Sequence, residues 1–526
     1  MAIHDILFCQ WTGIASGIYL FLAAWQWLCK YPPPWMNKME SLGQPRAQRK
    51  LPGTAVVCGG SVAGIVTARI CADHFERVVI IDPEIQDSEK PKTRIAQYNA
   101  VHIFLSLFVD GVWKLWPNLE AEVEAAGSRT CLADYQVHYS GLPLLVPFRE
   151  YVPGHFPCSI AIRRSTLQAV LYRLLFRYPT ASNITVMPGT VRALHASEDG
   201  TSIQTVVVRG LDGTTSSVHD AAMVADCTGA TQAGVKWLEA AGFALPAGIR
   251  QSYDANLRYV TVCFNVHPAL AAKLPIPEAV MQMAVLYTFV PHGDAESSTI
   301  AIMKTDNDTM LLLIGSTGHG DLPHRAPEII PFIAEFKGYS RKIPSWVIET
   351  IDALCEHGNP VFNNLKMNAQ SYVRYDRAPL GSVPSNFVAL GDATMQLNPT
   401  HGQGCTKAMM NATTLNYLLH KTESGPTGLP ADFSARFFKN SATDTQALWD
   451  STRLHDYGLE SCTPIEGETK EKGRLLRWFE RKVLSAATKD EEVASALWHI
   501  RHMRAADRSL FAPTVLWKVL LTRSIF

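Results

Sequence analysis

Apolar positions along the chain fall into three patterns. The first is one continuous run: Ile6 to Cys29 carries no charge. As a helix at ~1.5 Å per residue it would be roughly 36 Å long, enough to cross a bilayer. Trp25, Trp27 and Tyr31 sit near one end, where aromatic rings favour the interface. Lys30, Lys38, Arg46, Arg49 and Lys50 follow the run, while only His4 and Asp5 precede it. The pattern predicts an N-terminal transmembrane helix in a single-pass membrane protein of the endoplasmic reticulum, with the bulk of the chain cytosolic. A cleaved signal peptide would need a basic start and a small-residue cleavage site, and neither is clear here. Pro32-Pro33-Pro34 ends the helix and opens a linker to about residue 50.

The second pattern is short apolar strands punctuated by glycine turns and helices. Thr54–Cys58 reads as a buried strand, Ile65 to about His74 as a helix and Arg77–Ile81 as a second strand. Far downstream, Phe387–Leu390 reads as a strand and Thr406 to about His420 as a helix. Between these lies the third pattern: Tyr259–Phe264, Met283–Val290, Ser298–Lys304 and Thr309–Ile314 are strand-like runs without alternating helices, which predicts an antiparallel sheet. The fold expected is α/β plus antiparallel β, with a Rossmann-like domain split by an inserted sheet. The divisions are 1–50 (anchor and linker), 51–250 and 374–425 (the two parts of the nucleotide domain), 251–373 (substrate domain) and 426–526 (C-terminal helices). Leu510–Leu521 is apolar but short and contains Pro513, so a membrane-surface helix and a helix packed on the core both stay open.

Composition narrows the classes. A chain of 526 residues with 47% hydrophobic and 18% charged content is globular and large enough for two or three domains. Lys+Arg equals Asp+Glu, so there is no overall basic character for neutralising nucleic-acid phosphates. The 11 cysteines are scattered, with no CxxC pair, which suits buried reduced thiols and excludes a zinc or disulfide framework.

The chemistry begins at Gly59-Gly60-Ser61-Val62-Ala63-Gly64, placed between a strand and a helix, with Asp82 ending the next strand. Gly59 permits the tight turn, Gly64 lets helix and strand pack closely, and the helix N-terminus offers free N–H groups to a pyrophosphate. Asp82 stands where a carboxylate accepts ribose hydroxyls, and it disfavours a 2′-phosphate. Ser61 replaces the middle glycine of the usual fingerprint. A second acid-plus-glycine element, Gly391-Asp392-Ala393 followed by Pro399, Gly402, Gly404 and Cys405, lies far downstream in the last third of the chain. A nicotinamide site has no need of it. FAD has: one carboxylate for the ribose, another for the ribitol, and a helix N-terminus for the flavin ring.

These residues resemble the GD motif of group A FAD-dependent monooxygenases, the aromatic-hydroxylase and squalene-epoxidase-like class. Arg164-Ser-Thr-Leu167-Gln-Ala-Val-Leu171 is similar to that family's Arg-x-x-Leu-x-x-x-Leu helix. Val224-Ala-Asp226-Cys-Thr-Gly229 resembles its strand-turn near the pyrophosphate, in the Asp-x-x-Gly form of one branch. Trp237–Gly242 and Gln97–Pro117, with His102, match the same branch. The resemblance spans roughly residues 54–420. It implies FAD held by Gly59, Gly60, Ser61, Ala63, Gly64, Asp82, Arg164, Asp226, Gly229, Asp392, Pro399, Gly402, Gly404 and Cys405, with NADPH as a transient co-substrate and no metal. It also implies oxygen transfer from O2 through a flavin C4a-hydroperoxide to a small lipophilic substrate. No residue stands out as a base, and alkene epoxidation needs none. With the expected anchor, that favours a polyene or terpenoid, as in fungal secondary-metabolite epoxidases acting on polyene pyrones. A reductase or halogenase of the same fold is the alternative, although the halogenase Trp-x-Trp-x-Ile-Pro signature is absent. So is a non-catalytic NAD-binding membrane scaffold, against which the Asp392 element argues.

Overall fold

The computed structural model describes residues 19–29, 32–85, 92, 97–177, 182–292, 297–317, 321–423 and 428–523. Its centre is a five-stranded parallel sheet in the order Phe387–Ala389, Ala221–Asp226, Leu51–Cys58, Phe75–Ile81, Ile184–Met187. Ala55, Val56 and Val57 in the middle strand are wholly buried, as expected of a strand covered on both faces. The Val62–His74 helix joins the two central strands and packs against the Gly404–His420 helix. At the ends of these helices His74 Nε2 meets Asn416 Oδ1 at 3.0 Å. Gly189–Ala196, Ile203–Gly210 and Thr215–Val218 form a separate antiparallel sheet.

The second large sheet has seven strands, in the order Val361–Lys366, Leu257–Asn265, Thr309–Thr317, Ser297–Lys304, Val285–Val290, Val137–Tyr139, Leu142–Pro143. The middle strands are antiparallel as expected. The last two come from well before the inserted region and reach it through a parallel pairing of Val137–Tyr139 with Val285–Val290. One face, with Val260, Val262 and Phe264, packs on Val347, Ile351 and Leu354 of the Ser345–His357 helix. The other presents Leu257 and Tyr259, clustered with Met367 and Ala100. Alternation along one strand therefore supplies both a core and an apolar wall facing the nucleotide-type domain. Of the ten described cysteines, all free thiols, six are buried and Cys158, Cys263, Cys355 and Cys405 are half-buried.

The expected transmembrane helix and single-pass membrane location are overturned. No helix among the described residues is long and apolar enough to cross a membrane. Residues 19–29 are helical. At the end of this helix Cys29 is buried, and Trp25 half-buried, against Val483, Val515 and Val519 of the C-terminal helices, and Ser509 Oγ donates to Cys29 O at 3.0 Å, while Trp27 and Leu28 stay exposed. The expected linker is also built in. Trp35 Nε1 donates to Met503 O at 2.7 Å, Lys38 forms a buried ion pair with Asp444 at 2.5 Å, and Arg46 donates to the carbonyls of Leu419 and Thr422. Two of the cations in the expected topology signal thus satisfy groups inside the protein. The remainder of the Ile6–Cys29 run, residues 6–18, lies outside the described residues. The Pro513–Leu521 helix buries Val515 and Val519 against the same cluster.

Candidate functional site

Four turns leave one edge of the parallel sheet. Cys58 is in register with Ile81 on one side and Asp226 on the other, and Asp226 with Ala389. Gly59, Asp82, Cys227 and Leu390 therefore follow their strands at the same carboxyl edge, where open α/β sheets take ligands. From the strand of Asp82 to the strand leading to Asp392 is three strand spacings, roughly 14 Å at ~4.8 Å each.

The first turn is shaped by backbone contact. Gly59 has φ +116°, and a Cβ there would lie 2.4 Å from Cys227 O; a Cβ on Gly64 would lie 1.8 Å from Gly59 O. The Asp82 carboxylate ties the turn down, accepting from Gly60 N and Glu84 N at 2.8 Å each. Ser61 precedes the helix without capping it, so the first-turn amides of Val62, Ala63 and Gly64 lack intrahelical partners and point their partial charge out of the turn. The Ser61 hydroxyl instead accepts from Arg164 Nη2 at 2.7 Å, which gives this departure from the glycine fingerprint a physical role.

The second turn is positioned by side chains. Gly391 N donates to Asn411 Oδ1 at 3.0 Å, and a Cβ on Gly391 would lie 3.1 Å from the Ala63 methyl, so the two turns abut. Asp392 Oδ1 accepts from the wholly buried Lys407 Nζ at 2.5 Å, leaving the acid partly exposed. Pro399 opens a single helical turn, stabilised by Asn398 Oδ1 accepting from Thr400 N at 3.0 Å; Gly402 (φ +67°) closes it. The next helix starts at Gly404 without a side-chain cap, and nothing lies within 4 Å of a Cβ placed there.

Arg164, at the start of the Arg164–Arg177 helix, is bonded to the first turn through Ser61 and lies within electrostatic reach of Cys405 and Asp392 of the second. It is buried, and its Nη1 makes no hydrogen bond among the described residues. Burial weakens its hold on the proton, while Cys405, Tyr98 and Asp392 act in the opposite sense. A buried cation with an unsatisfied N–H, beside a glycine turn and a free helix N-terminus, suits an anionic group. Desolvation and the neighbouring Arg164 push His102 down to about 4, so its imidazole is neutral at pH 7; Nδ1 faces Ala100 O at 3.0 Å. Burial raises the Cys405 thiol against the pull of Arg164, so it stays protonated.

Asp226 is placed differently from the other acids. It is fully buried and accepts from Thr228 N (2.9 Å), Thr228 Oγ1 (2.6 Å) and Gly234 N (2.7 Å), so its carboxylate is engaged by its own turn. Gly229 follows with φ +70°, and nothing lies within 4 Å of a Cβ placed there. The structure thus brings Gly59, Gly60, Ser61, Ala63, Gly64, Asp82, Arg164, Asp392, Pro399, Gly402, Gly404 and Cys405 to the two turns and their link, and sets Asp226 behind them. Sequence reasoning missed Lys407 and Gln168, whose Nε2 donates to Gly60 O at 3.2 Å. Lys407 lies on the first turn of the helix that begins at Gly404, a position that projects it back over its own helix start.

No family model matches the chain. Among curated proteins it is similar to Protein Rv3254 of Mycobacterium tuberculosis (strain ATCC 25618 / H37Rv), at 23% identity over 474 residues, 88% of this chain and 91% of that protein. Among solved structures it is similar to a flavoprotein/dehydrogenase from Cytophaga hutchinsonii (TM-score 0.58, 12% identity, 88% of this chain and 95% of that one). It is also similar to the flavin-dependent brominase Bmp2 (0.54, 13%, 89% and 98%) and to PqsL, a probable FAD-dependent monooxygenase from Pseudomonas aeruginosa (0.52, 15%, 81% and 99%). The fold is therefore the mixed α/β fold shared by FAD-dependent monooxygenases and related flavoproteins.

Proposed function

We propose that the chain is an FAD-dependent monooxygenase acting on a small lipophilic substrate, with NADPH as a transient electron donor. The observation that carries the reading is the buried Arg164 guanidinium with an unsatisfied Nη1, set between a glycine turn at one strand end and Asp392 at another on the same sheet edge. The fit to FAD follows residue by residue. The Val62–Gly64 amides and Arg164 would hold the pyrophosphate, Asp82 the adenosine ribose, Asp392 the ribitol, and the Gly402–Gly404 helix start the ring. Asp226 and Gly229 hold the strand-turn behind them. Reduced flavin supplies the two electrons that activate O2.

The chain's own residues exclude water and orient the substrate. The sheet face bearing Leu257, Tyr259 and Met367 packs on Ala100, close in the chain to His102, and Leu313 and Leu365 extend it. An apolar wall beside the flavin position supports a lipophilic substrate and keeps the reacting centre dry. Phenol hydroxylation calls for a base near the ring. His102, held to about 4, is too weak a proton acceptor for that task, and burial raises Tyr259 to about 12. Both favour epoxidation of an alkene, which needs no base.

The test is flavin content and oxygen transfer in purified protein. Wild-type protein is expected to carry bound FAD, and Asp392→Ala to lose most of it while keeping its circular-dichroism spectrum. With NADPH and a lipophilic extract of the host, 18O2 should add one labelled oxygen to a product. Equal flavin content in wild type and Asp392→Ala contradicts the site. A product two hydrogens heavier, or one carrying halogen, points to a reductase or a halogenase instead.

A further inference from the structure

Outside the residues assigned to the flavin, His401, His455 and Asp456 bring one potential ligand atom each to within 4.8 Å of one another. His401 stands on the Pro399–His401 turn, and the other two end the Phe433–Asp456 helix, a separate element further along the chain. The three are typical donors for a borderline cation: two imidazoles and a carboxylate.

Three features separate this cluster from an ordinary hydrogen-bonded one. Asp456 is buried, and no lysine or arginine forms an ion pair with it among the described residues. Among the described residues its oxygens accept from neutral groups, Tyr253 Oη at 2.8 Å and Asn398 Nδ2 at 3.0 and 3.1 Å. A buried carboxylate calls for a cation. His401 Nε2 is buried and makes no hydrogen bond among the described residues, although Asp456 Oδ1 lies 3.9 Å away. That separation is too long for a hydrogen bond. It is near the ~3.4 Å between two atoms bound tetrahedrally to one zinc ion at ~2.1 Å. Finally, His455 Nδ1 meets Glu480 Oε2 at 3.0 Å, and Asp456 is held by Tyr253 and Asn398. Metal-bound histidines and carboxylates are oriented by such outer partners.

We propose that His401, His455 and Asp456 bind a divalent cation of the zinc class, which clamps the Pro399–Gly404 turn to the end of the Phe433–Asp456 helix. The proposal does not depend on the flavin reading, because its ligands and its readout are separate from FAD. The clamp fixes the turn immediately before the Gly404–His420 helix, so it sets the shape of whatever ligand site that helix start forms.

The test uses the full chain, stripped with a chelator and dialysed against Zn2+, then against Co2+. One tightly held equivalent of zinc is expected, together with a cobalt visible spectrum of nitrogen and oxygen ligation that lacks thiolate charge transfer. Zinc should raise the Tm of the wild type. In His401→Ala/His455→Ala, and separately in Asp456→Asn, zinc affinity should fall at least tenfold and the Tm response should disappear, while circular dichroism reports whether each variant is folded. No zinc retained by the wild type overturns the proposal. So does stoichiometry or affinity unchanged in both variants, or a thiolate-type cobalt spectrum, since each places the ion elsewhere.

Discussion

The two acid-plus-glycine turns look alike in sequence and are built by different physics. At Gly59–Gly64 the glycines are required by the protein itself: side chains there would collide with the carbonyls of Cys227 and Gly59. The acid, Asp82, is engaged with the turn's own backbone. At Gly391–Gly404 the space beside Gly404 is open, and the acid is held by a buried lysine from the following helix. Glycines needed for folding and glycines left open for a ligand are therefore distinguishable in one molecule. In the first turn both framing glycines are required by close backbone contact; in the second, Gly391 and Gly402 are required by positive φ, and Gly404 is the one beside open space.

The largest effect should follow from placing the same methyl in each turn. Gly64→Ala puts a Cβ against Gly59 O and should destabilise by about 3 kcal/mol or more, seen as loss of folded protein or a steep fall in Tm. Gly404→Ala should leave Tm unchanged or slightly raised, because alanine suits a helix, yet lower flavin retention. Equal thermal effects would erase the distinction between the turns.

Next in size is the joint between the helices that start at these turns. Burial is the main cause that holds His74 down to about 3, while its partner Asn416 pulls it up. The unfolded imidazole, at its ordinary 6.5, takes a proton more readily than the folded one. Stability from this group is thus complete above about pH 6.5 and is lost as pH falls toward 3. Between about pH 6.5 and 4.5 the loss is about 2–3 kcal/mol. Urea melts across that range should show a shallower decline in His74→Gln than in wild type. Parallel slopes would mean that His74 is not buried neutral.

The smallest effect on the fold, and a sharp one on binding, is expected at the residue between the turns. Arg164→Met removes a buried charge with an unsatisfied N–H, so the apo-protein should keep or gain stability. FAD affinity should fall about ten- to a hundredfold, the range of a charge-assisted hydrogen bond. A variant that melts earlier yet binds FAD normally would make Arg164 a packing residue.

How much of this was legible in the sequence follows from the same contrast. Backbone-driven features could be read directly: the Gly59–Gly64 turn, the strands on either side, the antiparallel run from Tyr259 to Ile314 and the second turn at Gly391. Features made by side chains meeting across long separations were hidden. Ser61 looked like a defect in a fingerprint until Arg164, distant in the chain, met it. Lys407 carried no motif. Asp226 read as a cofactor contact, whereas its carboxylate is engaged by Thr228 and Gly234. Val137–Tyr139 is too short for an alternation to register, and its partner strand, Val285–Val290, belongs to a distant part of the chain. The N-terminal run misled because its described end is short of covering: Cys29 is buried and Trp25 half-buried against the C-terminal helices, whereas Tyr19, Leu20, Phe21, Trp27 and Leu28 stay exposed.

The central claim is that one extended cofactor touches both turns. Calorimetric titration of the apo-protein with FAD, ADP and FMN tests it most directly. The account predicts one FAD per chain, bound at least a hundredfold more tightly than either fragment, because each fragment reaches only one turn. ADP binding as tightly as FAD would contradict it, leaving the Asp392 turn without a part in the site.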